Sequence, residues 1–327
     1  MNRLTVVMYH YVRKSKLSRY PEIKGLETDL FEEQIGFLKK HHHVISAHDL
    51  MDAIESNSPL PPRAVLLTFD DGYANHFDEV FPVLDREDLP GCFFPSAKAV
   101  VESMVLDVNK IQFILASVEN KSVLVDRIHR SLDENRSSYP LESKQLYWEK
   151  FGVENRWDPS DVMFVKRMMQ RELPVELRQN ITNQWFREFV SSDEAAFSKE
   201  LYMSLDQISC LQESGMYIGS HGYDHCWLDS IPHDTQKLDI DLSLDFLRKT
   251  GSSTDRWIMC FPHGAYDDSL LSVLRSRNCT AGLTTEVDIA DLEEHDPLTL
   301  PRLDTNDLPK DSRAEPNAWT KKAMGSQ

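Results

Sequence analysis

Short aliphatic runs bounded by turn-forming residues recur through the 327 residues, and most are followed by a stretch of helical periodicity. The runs lie near residues 4–10, 43–46, 64–70, 91–95, 216–220, 257–261, 280–284 and 298–303. Amphipathic stretches lie near 30–41, 48–56, 73–87, 204–214, 233–249 and 267–277. A run such as Ala64-Val65-Leu66-Leu67, apolar on both faces, is the pattern of a parallel strand covered by helices. Strands and helices in alternation predict an α/β protein of β/α barrel type. Residues from about 101 to 203 break the pattern. They read as several helices, for example around 110–115 and 161–169, with Trp148, Trp157 and Trp185 scattered among charges. Such an insertion builds a small helical core of its own, or, rooted at a barrel's catalytic end, caps a site and selects the acceptor. The expected organisation is therefore barrel over 1–100, helical insertion over 101–203, barrel again over 204–310, and a loose polar tail over 311–327.

Three of the runs end in residues that carry chemistry. Thr68-Phe69-Asp70-Asp71-Gly72-Tyr73 sets two carboxylates at a strand's C-terminal edge, where α/β folds place their sites, although an Asp pair before Gly is also an ordinary turn signal. Ser220-His221-Gly222-Tyr223-Asp224-His225 follows the run Met216-Tyr217-Ile218-Gly219 and spaces two imidazoles four residues apart. If that segment forms a helical turn, both rings reach one cation. A carboxylate from the first segment would complete two nitrogens and one oxygen and leave coordination positions open, as a catalytic rather than a structural site requires. Trp257-Ile258-Met259-Cys260-Phe261 reads as a strand leading into a Pro262-His263-Gly264 loop, with Asp267-Asp268 placed to cap the helix that follows.

In order and in placement these segments, with Phe261-Pro262-His263-Gly264-Ala265-Tyr266 as the third, resemble the polysaccharide deacetylases of the NodB-homology type, carbohydrate esterase family four. The resemblance covers roughly residues 4–96 and 204–304. It implies a distorted (β/α)7-type barrel, with the helical insertion between the Asp-pair strand region and the His-pair strand. It also implies one divalent metal ion, zinc or another transition metal, held by Asp71, His221 and His225. Asp70 would be the general base for the attacking water. The loop Phe261, Pro262, His263 and Gly264 would wall the sugar site, with the backbone N–H of His263 donating to the oxyanion.

Two departures shift roles to other residues. Many relatives carry an Arg before the Pro-containing loop, where this chain has Cys260, so Arg302 in Leu300-Pro301-Arg302-Leu303 is the expected partner that holds Asp70 ionised. Many also carry an aliphatic-x-His element near the C-terminus that supplies the general acid. None stands after residue 290, where His295 lies in an acidic loop. The strand ending Tyr9-His10-Tyr11 resembles the element that opens a subset of these deacetylases with permuted motif order. First and last staves of a closed barrel are neighbours, which makes His10 the expected acid. His41, His42 and His43 read as a solvated helix end, and Cys226 and Cys260 as packing.

With 53 acidic against 36 basic residues the net charge is −17, which excludes a nucleic-acid partner and disfavours an anionic membrane surface. No apolar segment has the length of a membrane span, and Met1-Asn2-Arg3-Leu4 runs straight into the first strand without a signal region. Five cysteines, an odd number without regular spacing, predict reduced thiols and a cytoplasmic protein. The expected substrate is therefore an N-acetylated sugar of an intracellular glycan precursor destined for surface polysaccharide. Alternatives are hydrolysis of a formamide or cyclic ureide, since the machinery does not specify the acyl group, or a glycan-binding pseudoenzyme.

Overall fold

The computed structural model describes residues 2–155 and 158–325; Trp157 and the last two residues of the tail lie outside them. The chain divides into two compact units. The larger takes the residues up to Lys14, Lys24–Met104 and those from Ser198 onward; the smaller takes Ser15–Ile23 and Val105–Phe197.

The larger unit contains the strands β1 (Arg3–Tyr9), β2 (His43–Val44), β3 (Ala64–Asp71), β4 (Cys92–Pro95), β5 (Tyr217–Ile218), β6 (Trp257–Cys260), β7 (Cys279–Leu283), β8 (Ala290–Asp291) and β9 (Leu303–Asp304). Parallel pairing runs β1 to β3 (Leu4 opposite Ala64), β3 to β4 (Thr68 opposite Cys92), β4 to β5 (Cys92 opposite Tyr217) and β6 to β7. Two single bridges join these sets: Ser220 with Met259, and Leu283 with Leu300. Because β9 pairs with β1 (Val7 opposite Leu303), the circuit closes, with the segment through Leu300 and β9 as its last stave. The seven staves are β1, β3, β4, β5, β6, β7 and that segment. The run predicted over 43–46 is β2, which pairs with the start of β3 and is not a stave. In β8, Ala290 and Asp291 pair antiparallel with the start of β1.

Alternation along the strands separates two cores. Leu4, Val6, Ala64, Leu66, Cys92, Phe94, Ile258, Cys260, Ala281, Leu283 and Leu300 form one buried cluster, the barrel interior. Val7, Tyr9, Val65, Leu67, Phe69 and Phe93 belong to the other, against helix residues such as Phe31, Ile35 and Leu270. Continuing the inward parity to the C-terminal ends of the strands brings in His10, Thr68, Asp70, Cys260 and Arg302. The period of two thus assembles the site from positions far apart in sequence.

The smaller unit is helical, with Asp107–Ser117, Ser122–Asn135, Lys144–Phe151, Ser160–Arg167 and Val175–Phe189 as its helices. Trp185 is buried in it, whereas Trp148 is about one-third exposed (37%) and lies 5.2 Å from the Phe164 ring, centroid to centroid. Ser15–Ile23, which the alternation assigned to the barrel, belongs here: Tyr20 sets its ring edge-on to Phe113 and Phe197 at 4.9 and 5.9 Å.

Two local expectations are corrected. Within the described part of the tail, Asn317 caps a helix Ala318–Ala323 by accepting from Thr320 N, and Thr320 and Ala323 are buried, so that stretch is not loose. His42 is not solvated; it is buried, and that burial, with His41 beside it, lowers its pKa to about 4. Among the described residues no helix is long and apolar enough to cross a membrane.

Candidate active site

Asp70 is buried at the mouth of the barrel and meets Arg302 in a two-pronged pair. Arg302 Nη1 donates to Oδ1 at 2.9 Å and Nη2 to Oδ2 at 2.8 Å. The guanidinium is itself fixed, because Nε donates to the Thr284 carbonyl at 2.7 Å and Nη1 to Thr68 Oγ1 at 3.2 Å. Thr68 Oγ1 in turn donates to the Val7 carbonyl at 2.8 Å. Burial opposes ionisation of Asp70, but Arg302, with His221 and His10, more than offsets it and brings the pKa down to about 2. Burial also pushes the Cys260 thiol well up, so a neutral S–H packed in the barrel interior fills the position where many relatives have Arg.

Asp71 departs from strand parity. With φ of +73°, and Gly72 after it at +74°, the backbone turns left-handed, so two adjacent carboxylates face different partners. Gly72 is obligatory, since a Cβ there would lie 2.6 Å from Pro95 Cβ. Asp71 Oδ1 lies 3.2 Å from His221 Nε2 and 3.1 Å from His225 Nε2. Oδ2 accepts the Tyr73 hydroxyl at 2.5 Å, a partner the motif did not reveal.

The His pair is not on a helical turn as the spacing suggested. It lies in a loop, with Gly222 at φ +67° and His225 at +50°. Buried Asp239 holds that loop, accepting from the backbone N–H of Tyr223 at 2.8 Å and of Asp224 at 3.0 Å. Burial keeps the Asp239 carboxyl above its usual range despite those bonds.

These residues fit a cation. His221 Nδ1 lies 2.7 Å from the Cys260 carbonyl, which can only accept, so the proton sits on Nδ1 and the Nε2 lone pair points at Asp71. Asp71 Oδ1 is buried and receives no hydrogen bond of good geometry. One ligand atom from each of Asp71, His221 and His225 falls within 4.8 Å of the others, a buried set of one oxygen and two nitrogens of the kind that can hold a metal ion.

The loop after β6 stands beside this group. His263 takes φ of +58°, and its ring lies edge-on to His225 at 4.7 Å and flat against Trp227 at 4.4 Å. Burial and the charge of His225 hold the His263 imidazole well below its usual pKa. The loop's internal bonds engage Gly264 N–H, to the Phe261 carbonyl, and Ala265 N–H, to that of Pro262. Gly264 is required, because at φ +70° a Cβ would come 2.1 Å from Thr285 Oγ1. On the open side, the His10 side chain is 44% exposed and its Nε2 lies 3.9 Å from Asp70 Oδ2. His295 is occupied elsewhere, its Nδ1 accepting from Asp291 N at 2.9 Å.

Comparisons with known proteins converge on this architecture. Over a stretch of 95 residues the chain is 28% identical to the poly-beta-1,6-N-acetyl-D-glucosamine N-deacetylase of Escherichia coli, a match spanning 29% of this chain and 14% of that protein. The Streptococcus pyogenes deacetylase PplD, solved in complex with acetate, superposes with a TM-score of 0.58 at 16% identity, over 94% of this chain and 93% of its own. IcaB from Ammonifex degensii gives 0.55 at 18% identity, over 99% and 96%. At such identities the two structures speak to the fold alone. Sequence carries the rest: residues 57–138 and 181–282, more than half of the chain, match the family described as polysaccharide deacetylase. A match of that extent, falling on both the Asp-pair and the His-pair segments, means that the chain belongs to the polysaccharide deacetylase family.

Proposed function

We propose that this protein is a metal-dependent N-deacetylase that hydrolyses the acetamide of an N-acetylated sugar in a glycan or glycan precursor for surface polysaccharide. The observation that carries the proposal is the pair of differently committed carboxylates: Asp70 ionised against Arg302, and Asp71 converging with two imidazole nitrogens. Asp71, His221 and His225 would hold the cation, for which zinc suits a set of two nitrogens and one oxygen. Such an ion supplies Lewis acidity to the acyl group and lowers the pKa of water towards neutrality. Asp70 then takes the proton of the attacking water. A carboxylate held near 2 is a weak base and would be a poor match for ordinary water. The Arg302 fork keeps both Asp70 oxygens oriented. The His263 N–H would donate to the developing oxyanion. His10, as imidazolium on the open side, would protonate the departing amine.

The Escherichia coli relative is named for poly-beta-1,6-N-acetyl-D-glucosamine, which supports N-acetylglucosamine as the sugar to try first. The five cysteines are all free, which supports a reducing, cytoplasmic setting and an acceptor still under assembly. The test is to load the purified protein with zinc or cobalt and measure acetate and free amine released from N-acetylglucosamine oligomers. Release of both supports the reading, and saturable binding without release makes the protein a lectin-like pseudoenzyme. Release of formate or ring opening from formamide or ureide substrates, with no acetate from the oligomers, would point to the other C–N bond.

Two sets of variants divide the roles. Asp70→Asn is expected to retain the metal and lose about 10²–10⁴-fold in kcat. Asp71→Asn is expected to lose metal affinity itself. Elemental analysis of both proteins decides, and equal retention with equal activity would contradict the division. His10→Ala is expected to bind metal normally, turn over slowly and lose the alkaline limb of its pH–rate profile, because neutral imidazole cannot serve as the acid. An unchanged alkaline limb would mean that another group protonates the amine.

A further inference from the structure

The Tyr73 side chain is fully buried two residues beyond Asp71, with its hydroxyl 2.5 Å from Asp71 Oδ2. Its ring cannot drift. Tyr11 stacks on it at 3.9 Å with 17° between planes, and Tyr202 lies nearly parallel at 6.1 Å. His76 closes the edge at 5.5 Å and is itself tied to the chain, its Nε2 donating to the His10 carbonyl at 2.7 Å. The Tyr73 hydroxyl is therefore presented to one carboxylate oxygen from a clamped position, while the other oxygen, Oδ1, receives no hydrogen bond of good geometry and faces the two imidazoles.

A free carboxylate can offer a cation one oxygen or two, and the choice changes both the coordination number and the number of positions left for substrate. We infer that Tyr73 is a positioning residue for the metal carboxylate: by holding Oδ2 it limits Asp71 to a single oxygen, Oδ1, toward the ion. The inference rests on the metal-site reading proposed above. A purely structural account is also available, in which a buried phenol takes the nearest acceptor. That account predicts a change in stability and none in the metal's affinity or coordination.

The experiment uses wild type and Tyr73→Phe, which keeps the ring stack and removes the hydroxyl. Each protein is stripped with chelator, checked for folding by circular dichroism, and titrated with zinc against a chromophoric competitor. Each is also titrated with cobalt(II), whose visible bands report coordination number. The expected result is zinc affinity about 10–100-fold weaker in the variant, the usual effect of losing a partner of a ligand, together with an altered cobalt spectrum. Equal affinity with an identical spectrum overturns the inference and leaves the deacetylase reading standing. Failure of the wild type to bind either metal brings down both. If the variant does not fold, a crystal structure of the zinc-loaded wild type decides: Oδ2 on Tyr73 with Oδ1 on zinc agrees, and both oxygens on zinc overturns it.

Discussion

Replacing His221 with alanine should empty the site of metal and abolish turnover while the barrel stays folded. The ring contributes one of the three converging ligand atoms, and its other nitrogen on the Cys260 carbonyl fixes its orientation. A site of three protein ligands reduced to two loses most of its affinity. The structural loss, a buried ring and the partner of the Cys260 carbonyl, is about 1–3 kcal/mol for the stranded acceptor and leaves the barrel strands themselves untouched. Elemental analysis after dialysis and a far-ultraviolet dichroism melt separate the two effects. Stoichiometric metal in the variant would sink the ligand assignment.

Arg302→Met should be the most destabilising change in the site. It strands the Asp70 carboxylate inside the barrel, and breaking a buried pair from one side costs about 3–5 kcal/mol. It also reverses a pH dependence. In the wild type the folded-state pKa of Asp70 lies below the unfolded value, at about 2, so the stabilisation it contributes is complete above about pH 4 and is lost as pH falls towards 2. Without the guanidinium, burial is opposed only by more distant His charges, and the folded pKa rises above the unfolded one. The variant's deficit should then be greatest at neutral pH and shrink on acidification, with the acid limb of the pH–rate profile moving upward. Urea unfolding at pH 7 and pH 4 tests this, and a deficit independent of pH would show that the pair is not what holds Asp70 ionised. Arg302→Lys should rescue the charge but not the two-pronged geometry.

What was legible in the sequence follows from what is local. Ala64-Val65-Leu66-Leu67 announces a buried strand because both of its faces are covered, and Asp70 and Arg302 both lie on inward parity, at the ends of runs that a reader can find. The two-residue strands Tyr217–Ile218 and Leu303–Asp304 fall in or at the edge of runs near 216–220 and 298–303, but the closure at Leu283–Leu300 and Val7–Leu303 is set by the ring, not by any local preference. The left-handed turn at Asp71 could be suspected from Gly72, but the loop geometry of the His pair could not, since the Asp239 that shapes it lies 15 and 16 residues away from its two partners. Thr68 and Thr284, which anchor Arg302, look like any strand threonine. Ser15–Ile23 carries too few apolar residues to declare its unit, and Asn317 starts a helix whose stability comes from burying Thr320 and Ala323.

The partner that neutralises Asp70 stands 232 residues downstream of it. During synthesis, β1, β3 and β4 can pair as soon as they emerge, yet their sheet remains an open crescent. Its interior carries a carboxylate with no counter-charge, and the C-terminal half of β1 keeps a bare edge until the segment from Leu300 to Asp304 arrives. At about 5–20 residues per second that interval lasts tens of seconds, during which the nascent chain exposes an unpaired edge of the kind that chaperones shield. Completion of the Asp70–Arg302 pair and the end of this vulnerable period are one event, so a ribosome stalled shortly before Arg302 would hold a chain with neither a sealed barrel nor a counter-charge for Asp70.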